Sequence, residues 1–145
     1  MSDGFEFLTR EHRQVEAMFE QYRQHPDDAL AHRIAETLTL HTEAEEAALY
    51  PQLRKYVDGG DDLAAEAQYE HATVKSQIAR LYEAPPPDLA PLVRAIAQNV
   101  ADHVRREEQE IFPAMRESGV DADGLARALE RAQGEATSRS SGGVG

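Results

Sequence analysis

The stretch His41-Thr42-Glu43-Ala44-Glu45-Glu46-Ala47-Ala48-Leu49-Tyr50-Pro51 recurs in the second half of the chain as His103-Val104-Arg105-Arg106-Glu107-Glu108-Gln109-Glu110-Ile111-Phe112-Pro113. Each is a His-x3-Glu-Glu-x3-apolar-aromatic-Pro block, and few architectures accommodate it twice. In a helix, residues four apart lie one above the other, so each His forms a chelating pair with the first Glu of its block. The flanking apolar positions share that face: Leu30, Ile34, Leu38 and Leu49 around the first pair, Leu92, Ile96, Val100 and Ile111 around the second. Imidazoles and carboxylates therefore stand where the helical period calls for core side chains. An ionised carboxylate buried without a partner is very unfavourable. Two such pairs facing one interior call for a shared counter-charge, and a bound metal supplies it.

The other helices repeat the theme with single histidines. Asp3 and Glu6 have capping-box spacing and open a helix whose face carries Phe5, Leu8, His12, Val15, Phe19 and Tyr22. After Asp58-Gly59-Gly60-Asp61, a third helix carries Ala64, Ala67, His71, Val74, Ile78 and Leu81. Glu11-His12-x-x-Val15 matches Glu70-His71-x-x-Val74, so the chain is a weak repeat of about sixty residues, two helical hairpins in succession. Breaks fall at His25-Pro26-Asp27 and Pro85-Pro86-Pro87, and Gly119 ends the fourth helix. Pro51 lies inside the second helix and is expected to remove one backbone bond and bend it just past the chelating pair. Asp121-Ala122-Asp123 starts a short fifth helix with Leu125, Ala128, Leu129 and Ala132 packed across the bundle. Residues 1–133 thus read as one domain and 134–145 as a flexible, disordered tail without apolar period.

The fold class is all-α, an up-down-up-down four-helix bundle with a short extra C-terminal helix. Its interior receives His12, His41, Glu45, His71, His103 and Glu107. Imidazole with carboxylate suits iron, manganese or zinc, and the absence of cysteine argues against copper(I) and iron–sulfur clusters. Two metals fit best, each with two imidazoles and both carboxylates bridging, which leaves open positions for a small ligand. His25 and His32 fall off the seam and read as solvent residues. Glu43, Glu46, Glu108 and Glu110 read as solvated helix faces, while Glu11 and Glu70, beside their histidines, are candidates for supporting hydrogen bonds. Tyr50, just past Glu45, is the candidate catalytic side chain, as a phenol able to hydrogen-bond to or redox-couple with the site. Its plainer reading is an aromatic packed, partly buried, near the Pro51 bend.

With 27 acidic and 15 basic residues the net charge is −12, which argues against nucleic acid as a partner. The N-terminus lacks signal-peptide features and no apolar run reaches membrane-spanning length, so the expectation is a cytoplasmic protein with no membrane partner.

The doubled block, with His12 and His71, resembles the hemerythrin-like HHE cation-binding domains over most of residues 5–117. The resemblance implies two iron ions, oxo- or hydroxo-bridged, held by His12, His41, Glu45, His71, His103 and Glu107, with the glutamates as bridges. Oxygen-carrying hemerythrins place a second His one turn after the one on the third helix, where this chain has Lys75. Some family members carry a Glu right after the His of the second helix, where this chain has Thr42. These departures suit peroxide turnover better than reversible oxygen carriage. Three functions are open to such a chain: a catalase-like enzyme removing peroxide; a carrier, store or sensor of O2, nitric oxide or iron, the sensor needing a protein partner for its output; and a metal-poor interaction module, which the buried glutamates oppose.

Overall fold

The computed structural model describes residues 2–142, with side chains through residue 138. Its helices are α1 (Gly4–Gln24), α2 (Asp28–Ala44), α3 (Tyr50–Tyr56), α4 (Gly60–Glu83), α5 (Pro86–Arg106), α6 (Phe112–Glu117) and α7 (Ala122–Gly142). A π-helical turn over Glu45–Leu49 joins α2 to α3 and a second, over Glu107–Ile111, joins α5 to α6. The four-helix bundle is therefore α1, α2–α3, α4 and α5–α6, with α7 laid against α1, α2 and the first π turn. Among the described residues no strand occurs, and no helix is long and apolar enough to cross a membrane.

Local chemistry explains the helix starts. Asp3 accepts from the Glu6 amide at 2.9 Å and Glu6 from the Asp3 amide at 3.1 Å, the reciprocal capping box expected from the sequence. Asp27 caps α2 through the Leu30 amide, and Asp121 accepts from the Gly124 amide at the start of α7. The third helix of the bundle starts at Gly60 behind left-handed Gly59 (φ 75°), with no side-chain cap. Gly60 is held by packing rather than by dihedral angle, since a Cβ there would run into the Leu53 carbonyl.

The expected proline bend takes a particular form. Pro51 lacks an N–H, and its ring would collide with the Ala47 carbonyl in a regular α-helix. The backbone widens instead, so that the Tyr50 amide reaches Glu45 O and the Phe112 amide reaches Glu107 O, each five residues back. The disruption begins at the glutamate rather than after it. One inserted residue rotates the downstream helix by about 100°, so Leu49 and Tyr50 are both fully buried.

Two apolar layers enclose a polar one. Phe5, Leu8, Leu49, Leu53, Ile111 and Met115 form one layer with Leu125 and Leu129 of α7. Val15, Leu38, Val74, Ile78, Ile96 and Val100 belong to the other. On α5, Val93 lies in this core, while Leu92, expected there, is half-buried. Between the layers lie His12, Glu45, His71, His103 and Glu107, all buried.

The C-terminal helix is longer than the sequence pattern indicates. The expected boundary at residue 134 is crossed without a break, and α7 continues to Gly142, with Ala136 buried. Its alanines hid the stripe, since Ala132 and Ala136 continue the Leu125–Leu129 face with little apolar signal. The rest of the expected tail, residues 143–145, lies outside the described residues.

Gly60→Ala is expected to lower the free energy of unfolding by about 1–3 kcal/mol, because the obstacle is backbone and cannot rotate away. Urea denaturation measures it, and a midpoint equal to that of the unaltered chain would contradict this account of the α3–α4 turn.

Candidate metal centre

The histidines and glutamates predicted to face the interior converge in two adjoining groups. His12, His41, Glu45 and Glu107 form one, and Glu45, His71, His103 and Glu107 the other, with the ligand atoms of each group within 4.8 Å of one another. Both glutamates belong to both groups. They are fully buried, and Glu45 Oε1, Glu45 Oε2, Glu107 Oε1 and His12 Nε2 have no hydrogen-bond partner. Orphaned polar atoms of this kind are rare in protein interiors and need an explanation. Each belongs to a donor suited to a cation, so the residues present fit a metal.

Imidazole orientation supports the same fit. His12 Nε2 lies 3.1 Å from Glu107 and His41 Nε2 3.3 Å from Glu45. His71 Nε2 lies 3.0 Å from Glu45 and His103 Nε2 3.2 Å from Glu107. All four Nε2 atoms thus face the interior. Those of His71 and His103 are 3.0 Å apart, close to the roughly 3 Å that separates two cis nitrogens at ordinary metal–imidazole bond lengths.

Each Nδ1 faces outward to a carboxylate. His12 pairs with Glu108 at 2.6 Å, His41 with Glu11 at 2.8 Å, His71 with Glu46 at 3.0 Å and His103 with Glu70 at 2.8 Å. A carboxylate on Nδ1–H fixes the tautomer that leaves the Nε2 lone pair free for a cation and raises its basicity. Glu11 and Glu70 therefore fill the supporting role considered for them. Glu46 and Glu108 do not lie on solvated faces as expected, because each reaches a histidine of another helix, His71 and His12. The doubled Glu-Glu in both blocks was the available signal. Glu110 does pair at the surface, with Arg106. His25 and His32 are exposed, as expected. Lys75, at the position where oxygen carriers have a histidine, is tied to Glu46 at 2.9 Å.

Tyr50 corrects the plainer reading of that side chain. It is fully buried, donates its hydroxyl to Glu107 Oε2 at 3.0 Å, and brings its oxygen to 3.0 Å from His71 Nε2 and 3.3 Å from His103 Nε2. Burial, with Glu107 and Glu45 adding to it, holds the phenol well above its ordinary pKa. At the matching position of the second block, Phe112 stacks on His12 with ring centroids 6.0 Å apart. One group therefore faces a phenol and the other a plain ring.

A cavity of about 150 Å³ reaches all four histidines, walled by Val15, Leu38, Val74 and Val100 and, from α7, by Gln133 and Thr137. It has room for a few water-sized molecules. Thr42, at the position where some family members have Glu, is buried beside it and donates to the Thr39 carbonyl at 3.1 Å.

A family model described as the hemerythrin HHE cation-binding domain matches residues 3–115. The chain belongs to that family. The match takes in every residue of the two groups and stops short of α7. A protein named DNA nickase from Nostoc sp. (strain PCC 7120 / SAG 25.82 / UTEX 2576) is 32% identical over 115 residues, which are 75% of this chain and 32% of that protein. This HHE domain thus spans about a third of the length of that relative. No solved structure matches the chain.

Without a cation the domain balances its carboxylates with protons. Burial pulls the His41 imidazole down, but Glu45 and Glu11 outweigh it and push the group up to about 10. Burial likewise opposes protonation of His103, yet Glu107, Glu45 and Glu70 push it up to about 12. Glu45 is held well below the ordinary range, since His41, His103 and His71 outweigh the opposing effect of burial. The two histidines favour folding fully below their unfolded value of 6.5, and that contribution is lost as pH rises toward about 10 and about 12. Glu45 acts in the opposite sense, its contribution being lost as pH falls below 4.5. The melting temperature of metal-free protein is therefore expected to decline steadily above pH 6.5. A bound cation displaces those protons, so metal-loaded protein should not show the decline. Thermal melts from pH 5 to about pH 10 test this, and superimposable metal-free and metal-loaded profiles would refute it.

Proposed function

We propose that this HHE domain holds two iron ions and uses them to react with peroxide or dioxygen, with catalase-like removal of peroxide as its activity. The observation that carries this reading is the pair of donor groups sharing two buried glutamates, of whose oxygens both of Glu45 and Oε1 of Glu107 lack hydrogen-bond partners. His12 and His41 would hold one ion, His71 and His103 the other, and Glu45 and Glu107 both. When bound, such a pair supplies two coupled redox-active centres with open positions for a small oxygen ligand.

The chain's own residues divide the remaining work. The four outer carboxylates hold each imidazole in the tautomer that presents Nε2 inward. Tyr50 keeps a phenolic proton at Glu107 and occupies space beside His71 and His103. Small ligands then have more room on the His12–His41 side, where Phe112 brings no hydroxyl. The cavity, walled by valines with Thr42, Gln133 and Thr137 among them, has room for a molecule as small as peroxide or dioxygen beside the four histidines. In the binding reading, the same site carries, stores or senses O2, nitric oxide or iron without turnover. The use of Lys75 as a tether for Glu46, in place of a further imidazole, favours turnover.

The name of the relative raises nucleic acid as a substrate. A net charge of −12 opposes a polyanion, so the proposed ligands are small molecules of the cytoplasm. Nicking of supercoiled plasmid by metal-loaded protein would overturn that restriction.

Oxygen evolution from hydrogen peroxide, followed with an electrode, tests the activity against free iron at equal concentration. Evolution exceeding free iron and lost in His103→Ala supports the enzyme, and evolution no faster than free iron leaves a binding protein. His103→Ala and Glu107→Ala are each expected to lower bound metal by half or more, and normal occupancy in either would sink the ligand assignment. Tyr50→Phe is expected to change the optical spectrum or the turnover rate, and an unchanged spectrum and rate would leave the phenol as packing.

A further inference from the structure

The four carboxylates that orient the histidines are not held alike. Glu108 is gripped by Arg13, Glu46 by Lys75 at 2.9 Å, and Glu70 by Arg106 at 3.3 Å. Glu11, among the described residues, is held instead by a neutral amide, with Gln133 Nε2 on α7 donating to its Oε2 at 2.5 Å while its Oε1 accepts from His41. The internal repeat locates the difference. The position matching Arg106 in the first block is Ala44, which is fully buried in the layer that contains Leu125, Leu129 and Ala132 of α7. An arginine there would block α7, so docking of that helix replaces the cation with Gln133. α7 lies beyond the residues matched by the family.

We infer that Gln133 is a positioning residue for the metal centre: it fixes Glu11, and through it His41, so that α7 governs retention of the ion on the His12–His41 side. This rests on the metal-holding roles proposed above. An amide leaves the Glu11 charge less neutralised than the three cations leave theirs. Its hold is positional, keeping Glu11 Oε1 aimed at His41 Nδ1–H so that Nε2 stays turned inward. Loss of Gln133 frees Glu11 to turn toward water and removes that support.

The test is release of ferrous iron from anaerobically loaded full-length protein to an excess of a ferrous chelator, followed by absorbance. Gln133→Leu, similar in size but unable to donate, is expected to accelerate about ten-fold the release phase that His41→Ala abolishes, leaving any other phase unchanged. Gln133→Lys, which donates to Glu11 again, is expected to restore slow release. In a Glu11→Gln background, Gln133→Leu should have little further effect. Circular dichroism of each variant reports whether α7 stays helical. Release unchanged in Gln133→Leu, acceleration of both phases alike, or the same acceleration in the Glu11→Gln background would overturn the inference, the last two assigning the effect to packing. Uptake of a single ion by the unaltered chain would refute the dinuclear reading, and the release rate of that ion in Gln133→Leu would still decide the role of Gln133.

Discussion

Two carboxylates with no exposure to water, Glu45 and Glu107, sit between two apolar layers, and the arrangement of the bundle answers to them. Such groups are tolerated only when opposite charge reaches them. Four imidazoles, one from each long helical segment, supply it as protons or yield their lone pairs to a cation that supplies it instead. The same geometry serves either state, because Nε2 points inward whether it carries a proton or a metal. Metal affinity and stability of the domain are therefore linked through one set of protons.

Around that centre, charge alternates outward. Each histidine rests on a glutamate, and the glutamates in turn rest on Arg13, Lys75, Arg106 or the Gln133 amide. The inner glutamates are shielded from water and the outer ones are a quarter exposed, so the field weakens toward the surface where solvent screens it. The two halves of the chain share this scheme but differ in what completes it. The first half contributes a phenol and leaves its outer face to α7; the second contributes a phenyl ring and its own arginine.

The π turns connect backbone chemistry to the site. Pro51 and Pro113 cannot continue a regular helix, and widening begins at the glutamate in each case. The added residue brings Tyr50 over Glu45 and into the interior, where it meets Glu107, His71 and His103. In a regular helix Tyr50 would stand about 140° from Glu45; the five-residue bond from the Tyr50 amide to Glu45 O brings the two closer to one face.

Much of the domain was legible in the sequence. His12, His41, Glu45, His71, His103 and Glu107 declared themselves as polar residues on apolar stripes, since spacing in a helix decides which face a side chain shares. The capping box, turns and bundle class come from similarly local rules. Tertiary structure alone decided which carboxylate supports which histidine, because Glu11–His41, Glu46–His71, Glu70–His103 and Glu108–His12 all join different helices. It likewise decided the length of α7, whose alanine-rich face gains meaning only against the buried Ala44. Periodicity along one helix carries no information about its neighbour, and here the neighbours hold the histidines in place.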